Sequence, residues 1–132
     1  MAESFLFRFP MYVLAVDYSY NEETKDLILD DKIRFAAPEY GGKNSIALFT
    51  DQAAALEFNE NVLGGAARDF SLSPDWLAEV LEFLAPRFEQ VVIDPYHKGH
   101  RSKAARLPEF LSALRHYLDH GPSTQLDYLP ED

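Results

Sequence analysis

An α+β fold follows from three observations on this chain. Strand-like segments crowd its first half, while two clear helix starts, at Thr50-Asp51 and Ser73-Pro74, come after them. A near-continuous apolar stretch, FEQVVID at Phe88–Asp94, then has the look of a strand buried on both faces. Strands and helices segregated in this way pack as a mixed, mostly antiparallel sheet of about four to five strands with three helices packed on it. At 132 residues the expected organisation is one domain over 1–122 and a loosely ordered tail over 123–132.

Each element has a local reason. Met11–Tyr18 (MYVLAVDY) is rich in β-branched and aromatic residues and reads as the first strand, with Pro10 placed where its missing N–H does little harm. The polar stretch Ser19–Thr24 turns the chain. In Asp26–Ala37, Ile33 and Phe35 alternate with Lys32 and Arg34, the pattern of a half-exposed strand. Gly41-Gly42 inside Pro38–Asn44 marks a turn, because glycine reaches positive φ without cost. Ser45–Phe49 is the next strand, so the first half reads as an antiparallel hairpin or meander.

At Thr50-Asp51 the period changes from two to about 3.6, and either side chain can cap the helix that follows. Ala55, Phe58 and Val62 recur at helical spacing, and Gly64-Gly65 ends the run. The second helix starts on Ser73 as cap, Pro74 at the first position and Asp75 at the positive end of the dipole. Leu72 and Leu77 form a staple, Trp76, Leu77, Val80, Leu81 and Leu84 form the apolar stripe, and Pro86 stops it. After the strand at Phe88–Asp94 comes a polar segment, Tyr96–Arg106. The last helix begins near Pro108, with Leu107, Phe110, Leu111, Leu114 and Leu118 on one face, and closes at Gly121-Pro122.

Composition bounds the function. The chain is 47% hydrophobic and holds ten Phe and seven Tyr, enough for one contiguous core and unlike a disordered segment. Twelve Lys and Arg against twenty-two Asp and Glu give a charge of −10, which repels nucleic acid unless positive charge is concentrated. With no cysteine there are no disulfides, no thiolate metal sites and no thiol catalysis. No apolar run reaches the ~20 residues of a membrane span. The N-terminus has Glu3 before its apolar run and Arg8 and Pro10 within it, unlike a signal peptide. A cytoplasmic location, with neither nucleic acid nor membrane as partner, is expected.

One segment stands out chemically. His97, Lys98, His100, Arg101, Lys103 and Arg106 hold four of the twelve Lys and Arg with no acid among them. They begin just after the exit of the predicted central strand, where open α/β sheets often bind ligands. A small anion or phosphate could be held there, helped by Gly99 and by the N-terminus of the last helix. The plainer readings of the same cations are a solvated loop that balances an acidic surface, and after it a surface that docks on a protein partner.

Other constellations are weaker. Asp94, His97 and His100 are metal-ligand types, but nearby cations would repel an ion, and no metal or other cofactor is expected. Asp17 and Asp94 both end apolar strands and could meet as an acid–base pair. His116 and His120 lie one helical turn apart and read as solvent-facing. Phe5, Phe7, Phe9 and Tyr12 read as core, with a homodimer surface as the alternative. The acidic segment Asn21–Asp31 reads as an exposed β-hairpin, because Leu27–Leu29 breaks the register of a calcium loop. No Gly-x-Ser-x-Gly elbow, P-loop, Gly-x-Gly-x-x-Gly or His-Glu-x-x-His motif occurs, and no catalytic residue is assigned.

The strand-turn-helix Ile46–Phe58, with Leu48-Phe49-Thr50-Asp51 leading into Ala53–Ala55 and Phe58, resembles the N-terminal domain of SseB-like (enhanced serine sensitivity) proteins. Val91-Val92-Ile93-Asp94-Pro95 is similar to that family's later apolar strand, and the resemblance spans Met11 to Pro95. It implies an α+β domain without an established enzymatic activity. The expectation that results is a non-enzymatic protein-interaction module of a bacterial-type cytoplasm, with a protein partner. A small-anion binder using residues 96–106, and an acidic immunity-type or inhibitor partner, are the alternatives.

Overall fold

A computed structural model describes residues 4–6, 9–24, 27–37, 39–40, 42–95, 103–121 and 125–127. In chain order the elements are β1 (Ser4–Leu6), β2 (Met11–Asp17), β3 (Arg34–Phe35), β4 (Glu39–Tyr40) and β5 (Lys43–Leu48). Then come α1 (Gln52–Leu63), β6 (Arg68–Leu72), α2 (Pro74–Leu84), β7 (Gln90–Ile93), β8 (Lys103–Arg106), α3 (Leu107–His120) and β9 (Gln125–Asp127). The class is α+β with three helices, as the sequence predicts. The strands, however, do not form one sheet of four to five. They pair as β1-β9, β3-β2-β6 and β4-β5-β7-β8, and among the described residues only β5 and β7 run parallel.

The two larger sheets are the arms of a fork. Tyr12 and Phe49 exchange both backbone hydrogen bonds at 2.9 Å, so β2 and β5 touch there as an antiparallel pair. Continued in that register, Leu14 would face Ala47. Instead Ala36 is inserted between them: its N–H donates to Leu14 O at 2.8 Å and its carbonyl accepts from Ala47 N at 3.2 Å. One loop residue thus satisfies both strands and splits the sheet. β3 lies along the β2 arm, with a register shift between Ala15 and Asp17 that adds local twist, and β4 lies along the β5 arm.

The two-residue side-chain period then decides which helix covers which face. Met11, Val13 and Ala15 of β2, Ile46 and Leu48 of β5, and Val91 and Ile93 of β7 pack with α2 and α3. Leu14, Ala47, Phe49 and Val92 point the other way, onto Ala54, Ala55 and Phe58 of α1. All four residues of β7 are buried, as expected of a strand covered on both sides and lying inside its sheet. Among them Gln90 is 4% exposed, and it donates from Nε2 to the fully buried Ser45 Oγ at 2.8 Å.

The caps follow the sequence closely. Asp51, rather than Thr50, caps α1 through a bond from Ala54 N at 2.7 Å. Gly64 and Gly65 both take positive φ at its end. Ser73 caps α2 by accepting from Trp76 N. Two helical residues depart from their expected faces: Val62 is 50% and Leu118 38% exposed.

Two strands were not expected. β6 carries only Phe70 and Leu72 as inward residues and pairs with β2 from Met11↔Leu72 to Ala15↔Arg68. β8 falls inside the segment whose sequence predicts a polar loop, because its buried residues are two alanines between Lys103 and Arg106. Within the tail expected to be loose, β9 pairs with β1. The acidic segment closes at one bridge, Tyr20↔Leu27, with Leu27 buried.

Candidate functional site

At the joined end of the fork, β5 and β7 finish side by side. Asp94 follows β7 with φ 51, a left-handed conformation that non-glycine residues adopt at a cost. It is held by Asp94 N donating to Leu48 O at 2.9 Å. The side chain turns back on Thr50: Oδ1 accepts from Thr50 N at 2.9 Å and Oδ2 from the Thr50 hydroxyl at 2.7 Å. The next residue, Asp51, is already spent on the α1 cap. Both carboxylates at this strand exit therefore accept hydrogen bonds from donors that the fold itself supplies.

The predicted basic run divides on the structure. His97, Lys98, His100 and Arg101 lie outside the described residues. Lys103 opens β8 opposite Ile93, at the end where Asp94 leaves β7, whereas Arg106 lies opposite Gln90, at the strand's other end. Three steps along the strand separate them by about 10 Å. Arg106 also pairs with Glu109 at 3.6 Å, both side chains being more than half exposed. Because β8 runs back along β7, the N-terminus of α3 lies beside Glu89, whose carbonyl accepts from Leu107 N at 3.1 Å. It therefore cannot add its dipole to a ligand at the exit of β7, contrary to the expectation from sequence.

The open end of the fork holds what the sequence reading missed. Two adjoining clefts share Asp31 and Arg34. One, about 490 Å³, is lined by Asp17, Tyr18, Ser19, Asp31, Lys32 and Arg34. The other, about 400 Å³, has an apolar base of Ile33, Phe35, Leu84 and Phe88, flanked by Asp31, Arg34 and Arg87. Both are open troughs, not enclosed cavities. The β3 alternation creates this lining: Ile33 and Phe35 turn into the core while Lys32 and Arg34 stay exposed. Arg87 comes from the turn after α2, where Arg87 N donates to Leu84 O at 2.8 Å.

The cations here differ in how they are engaged. Arg34 makes a loose pair with Asp17 at 3.8 Å, the two side chains being 79% and 67% exposed. The Arg87 guanidinium lies 5.1 Å from the centre of the Phe83 ring. Neither Arg87 nor Lys32 has a carboxylate within ion-pair distance among the described residues. Arg68 makes the contrast. Its guanidinium sits 5.0 Å from the Tyr20 ring centre and 5.3 Å from that of Phe70. Hydrogen bonds with the Tyr20 and Tyr18 side chains raise its pKa above the ordinary arginine value. That cation is occupied within the fold.

The remaining expectations resolve simply. Asp17 and Asp94 do not meet, since one pairs with Arg34 and the other with Thr50. The His116 and His120 rings are in edge contact, with centroids 4.1 Å apart. No group of three or more potential metal ligands occurs among the described residues. Phe9 packs on Tyr117 at 5.3 Å, beside the α2–α3 core, and Tyr12 packs on the α1 side. Phe7 lies outside the described residues, and Phe5 is in β1. No helix among the described residues is long and apolar enough to cross a membrane. No protein-family model matches the sequence, and no curated protein matches it.

Proposed function

We propose that this chain is a non-catalytic protein-interaction module, of the SseB-like kind its strand-turn-helix pattern suggests, working in a bacterial-type cytoplasm. Its partner contacts the open end of the fork. The observation that carries this reading is the pair of adjoining clefts in which, among the described residues, Lys32 and Arg87 have no carboxylate within ion-pair distance. A desolvated apolar patch with a charged rim is the usual anatomy of a protein contact. The strand-exit carboxylates, Asp51 and Asp94, are by contrast committed to backbone hydrogen bonds, which argues against acid–base chemistry there.

The small-anion alternative, built on His97, Lys98, His100, Arg101, Lys103 and Arg106 as one site, is weakened by the separation of Arg106 from Lys103 along β8. An acidic immunity-type role rests on the charge of −10 alone.

A photo-reactive residue placed at position 88 of the full chain, irradiated in extract of the source cell, tests the reading. One polypeptide should cross-link in stoichiometric yield, and a probe at position 66, beyond the end of α1, should capture none. No cross-linked polypeptide at position 88, or equal capture at both positions, would sink it.

A further inference from the structure

An open sheet ends in strands with unpaired outer backbone groups, and native folds blunt such edges with short length, lysine, proline or a bulge. Of the edges in the two larger sheets, β3 and β4 are two residues long, and β8 carries Lys103 and Arg106 at its ends. β6 has five residues, Arg68–Leu72, in unbroken register with β2 and without lysine or proline. We propose that two copies of this chain pair through this edge, β6 antiparallel to β6 about a two-fold axis at Phe70. This surface is separate from the clefts at the open end of the fork.

The outward groups of β6 follow from β2. Tyr12 exchanges both backbone bonds with Phe49, and Leu14 O accepts from Ala36 N, so Tyr12 and Leu14 face away from β6. Backbone groups alternate sides along a strand, which turns Met11 and Val13 toward their β6 partners Leu72 and Phe70. Asp69 and Ser71 therefore aim N–H and C=O away from β2, and neither has a backbone partner there among the described residues. The strand's own charges are drawn back onto the chain and do not guard the edge. The Arg68 guanidinium lies against Tyr20 and Phe70, and Asp69 Oδ2 accepts from Gln52 Nε2 at 2.9 Å.

In one register the strand is complementary to itself. With the axis at Phe70, Asp69 of each copy meets Ser71 of the other, and the two pairs form four backbone hydrogen bonds. Each Ser71 hydroxyl then lies beside a carboxylate that can accept from it. Phe70 meets Phe70 as a non-hydrogen-bonded pair, Cα atoms about 4.5 Å apart, and Arg68 falls opposite Leu72. An axis at Asp69 would instead set two carboxylates against each other. An axis at Ser71 would bring Asp69 opposite Ser73, whose carbonyl and hydroxyl already serve α2. A foreign strand could use the same four backbone groups, but only the second copy satisfies donors, acceptors and charges from the sequence of β6 alone.

Sedimentation velocity on the full chain between about 2 and about 200 µM should show a reversible monomer–dimer equilibrium, since an edge contact lies at the small end of interface sizes. Each copy carries −10, so raising NaCl from about 50 to about 300 mM should strengthen the dimer several-fold. Ser71→Pro removes an outward N–H, spares the β2 ladder and should abolish the dimer. Ser71→Asp sets carboxylate against carboxylate twice and should weaken it at least about tenfold, whereas Ser71→Lys should not weaken it. Ser112→Asp, on the exposed side of α3, makes the same change in net charge and should leave the dimer unaltered. In hydrogen exchange, the amides of Asp69 and Ser71 should gain protection with concentration, while those of Phe70 and Leu72 stay protected throughout.

A strict monomer at the highest concentration and salt overturns the inference. So does a dimer indifferent to Ser71→Asp, or one weakened alike by Ser71→Asp and Ser112→Asp. Concentration-independent exchange at Asp69 and Ser71 in a chain that does dimerise would place the contact on another face and overturn it as well.

Discussion

The two ends of the forked sheet use similar residues to opposite effect. At the joined end, polar groups from separate elements close on one another: Thr50 on Asp94, Asp51 on Ala54 N, Tyr12 on Phe49. At the open end, Ala36 holds the strands apart, and of the three cleft cations, Lys32, Arg34 and Arg87, only Arg34 has a carboxylate within ion-pair distance among the described residues. A strand-exit carboxylate is of the residue type that acid–base catalysis uses, yet here each oxygen of Asp94 accepts a hydrogen bond from Thr50. A Lys and an Arg on either side of a core strand and a helix stop look like ordinary solubilising charges, yet they line a recess of the described surface where neither has a carboxylate within ion-pair distance. The difference lies in whether the fold itself supplies the partner.

That contrast is sharpest in stability measurements. Asp94→Ala removes an acceptor of two hydrogen bonds and forces alanine into a left-handed conformation, so it should lower unfolding free energy by about 2–3 kcal/mol. Asp94→Asn tolerates the backbone and keeps an oxygen for Thr50 N, and should cost only about 1 kcal/mol. Chemical denaturation of both variants decides this; equal, small losses would mean that the clamp is incidental.

Thr50→Val, which keeps shape but removes the hydroxyl, should cost about 1 kcal/mol. In a double-mutant cycle with Asp94→Ala it should show coupling of at least about 0.5 kcal/mol. Strict additivity would deny that the two side chains act together. Asp51→Ala should likewise lose about 1 kcal/mol through the uncapped α1, read as an earlier thermal midpoint.

The smallest effects belong to the open end. Lys32→Ala should leave stability within about 0.5 kcal/mol of the parent, and Arg87→Ala should lose no more than about 1 kcal/mol, the worth of an exposed contact with the Phe83 ring. Arg34→Ala should lose no more than about 1 kcal/mol, given how exposed its pair with Asp17 is. A loss of several kcal/mol on removing Arg87 or Lys32 would show the open end to be structural after all.

Much of this architecture is written in short stretches of chain. The α1 start, the Gly64-Gly65 stop, the Ser73-Pro74 start of α2 and the double-sided burial of β7 all rest on residues within a turn or a strand of one another. Each follows from local hydrogen-bond satisfaction or from side-chain period. The arrangement around Asp94 was half legible: its position at a strand exit could be read, but its partner, Thr50, lies 44 residues away.

What tertiary structure alone decided is pairing across distance. Phe70 and Leu72 give β6 too short a pattern to identify, and it exists because β2 offers it a complementary edge. β8, with only two small inward residues, is a strand because β7 pairs with it, and that reversal carries Arg106 away from the rest of the basic run. The cleft cations, Lys32, Arg34 and Arg87, carry no motif; only the packing of the α2 end against β3 brings them together. Local sequence determined where helices start and stop and which faces are apolar, since those depend on neighbours along the chain. Strand partnership and the recess at the fork depend on which unsatisfied N–H and C=O groups meet across the molecule, and Ala36 has no sequence feature that announces it will meet two strands at once.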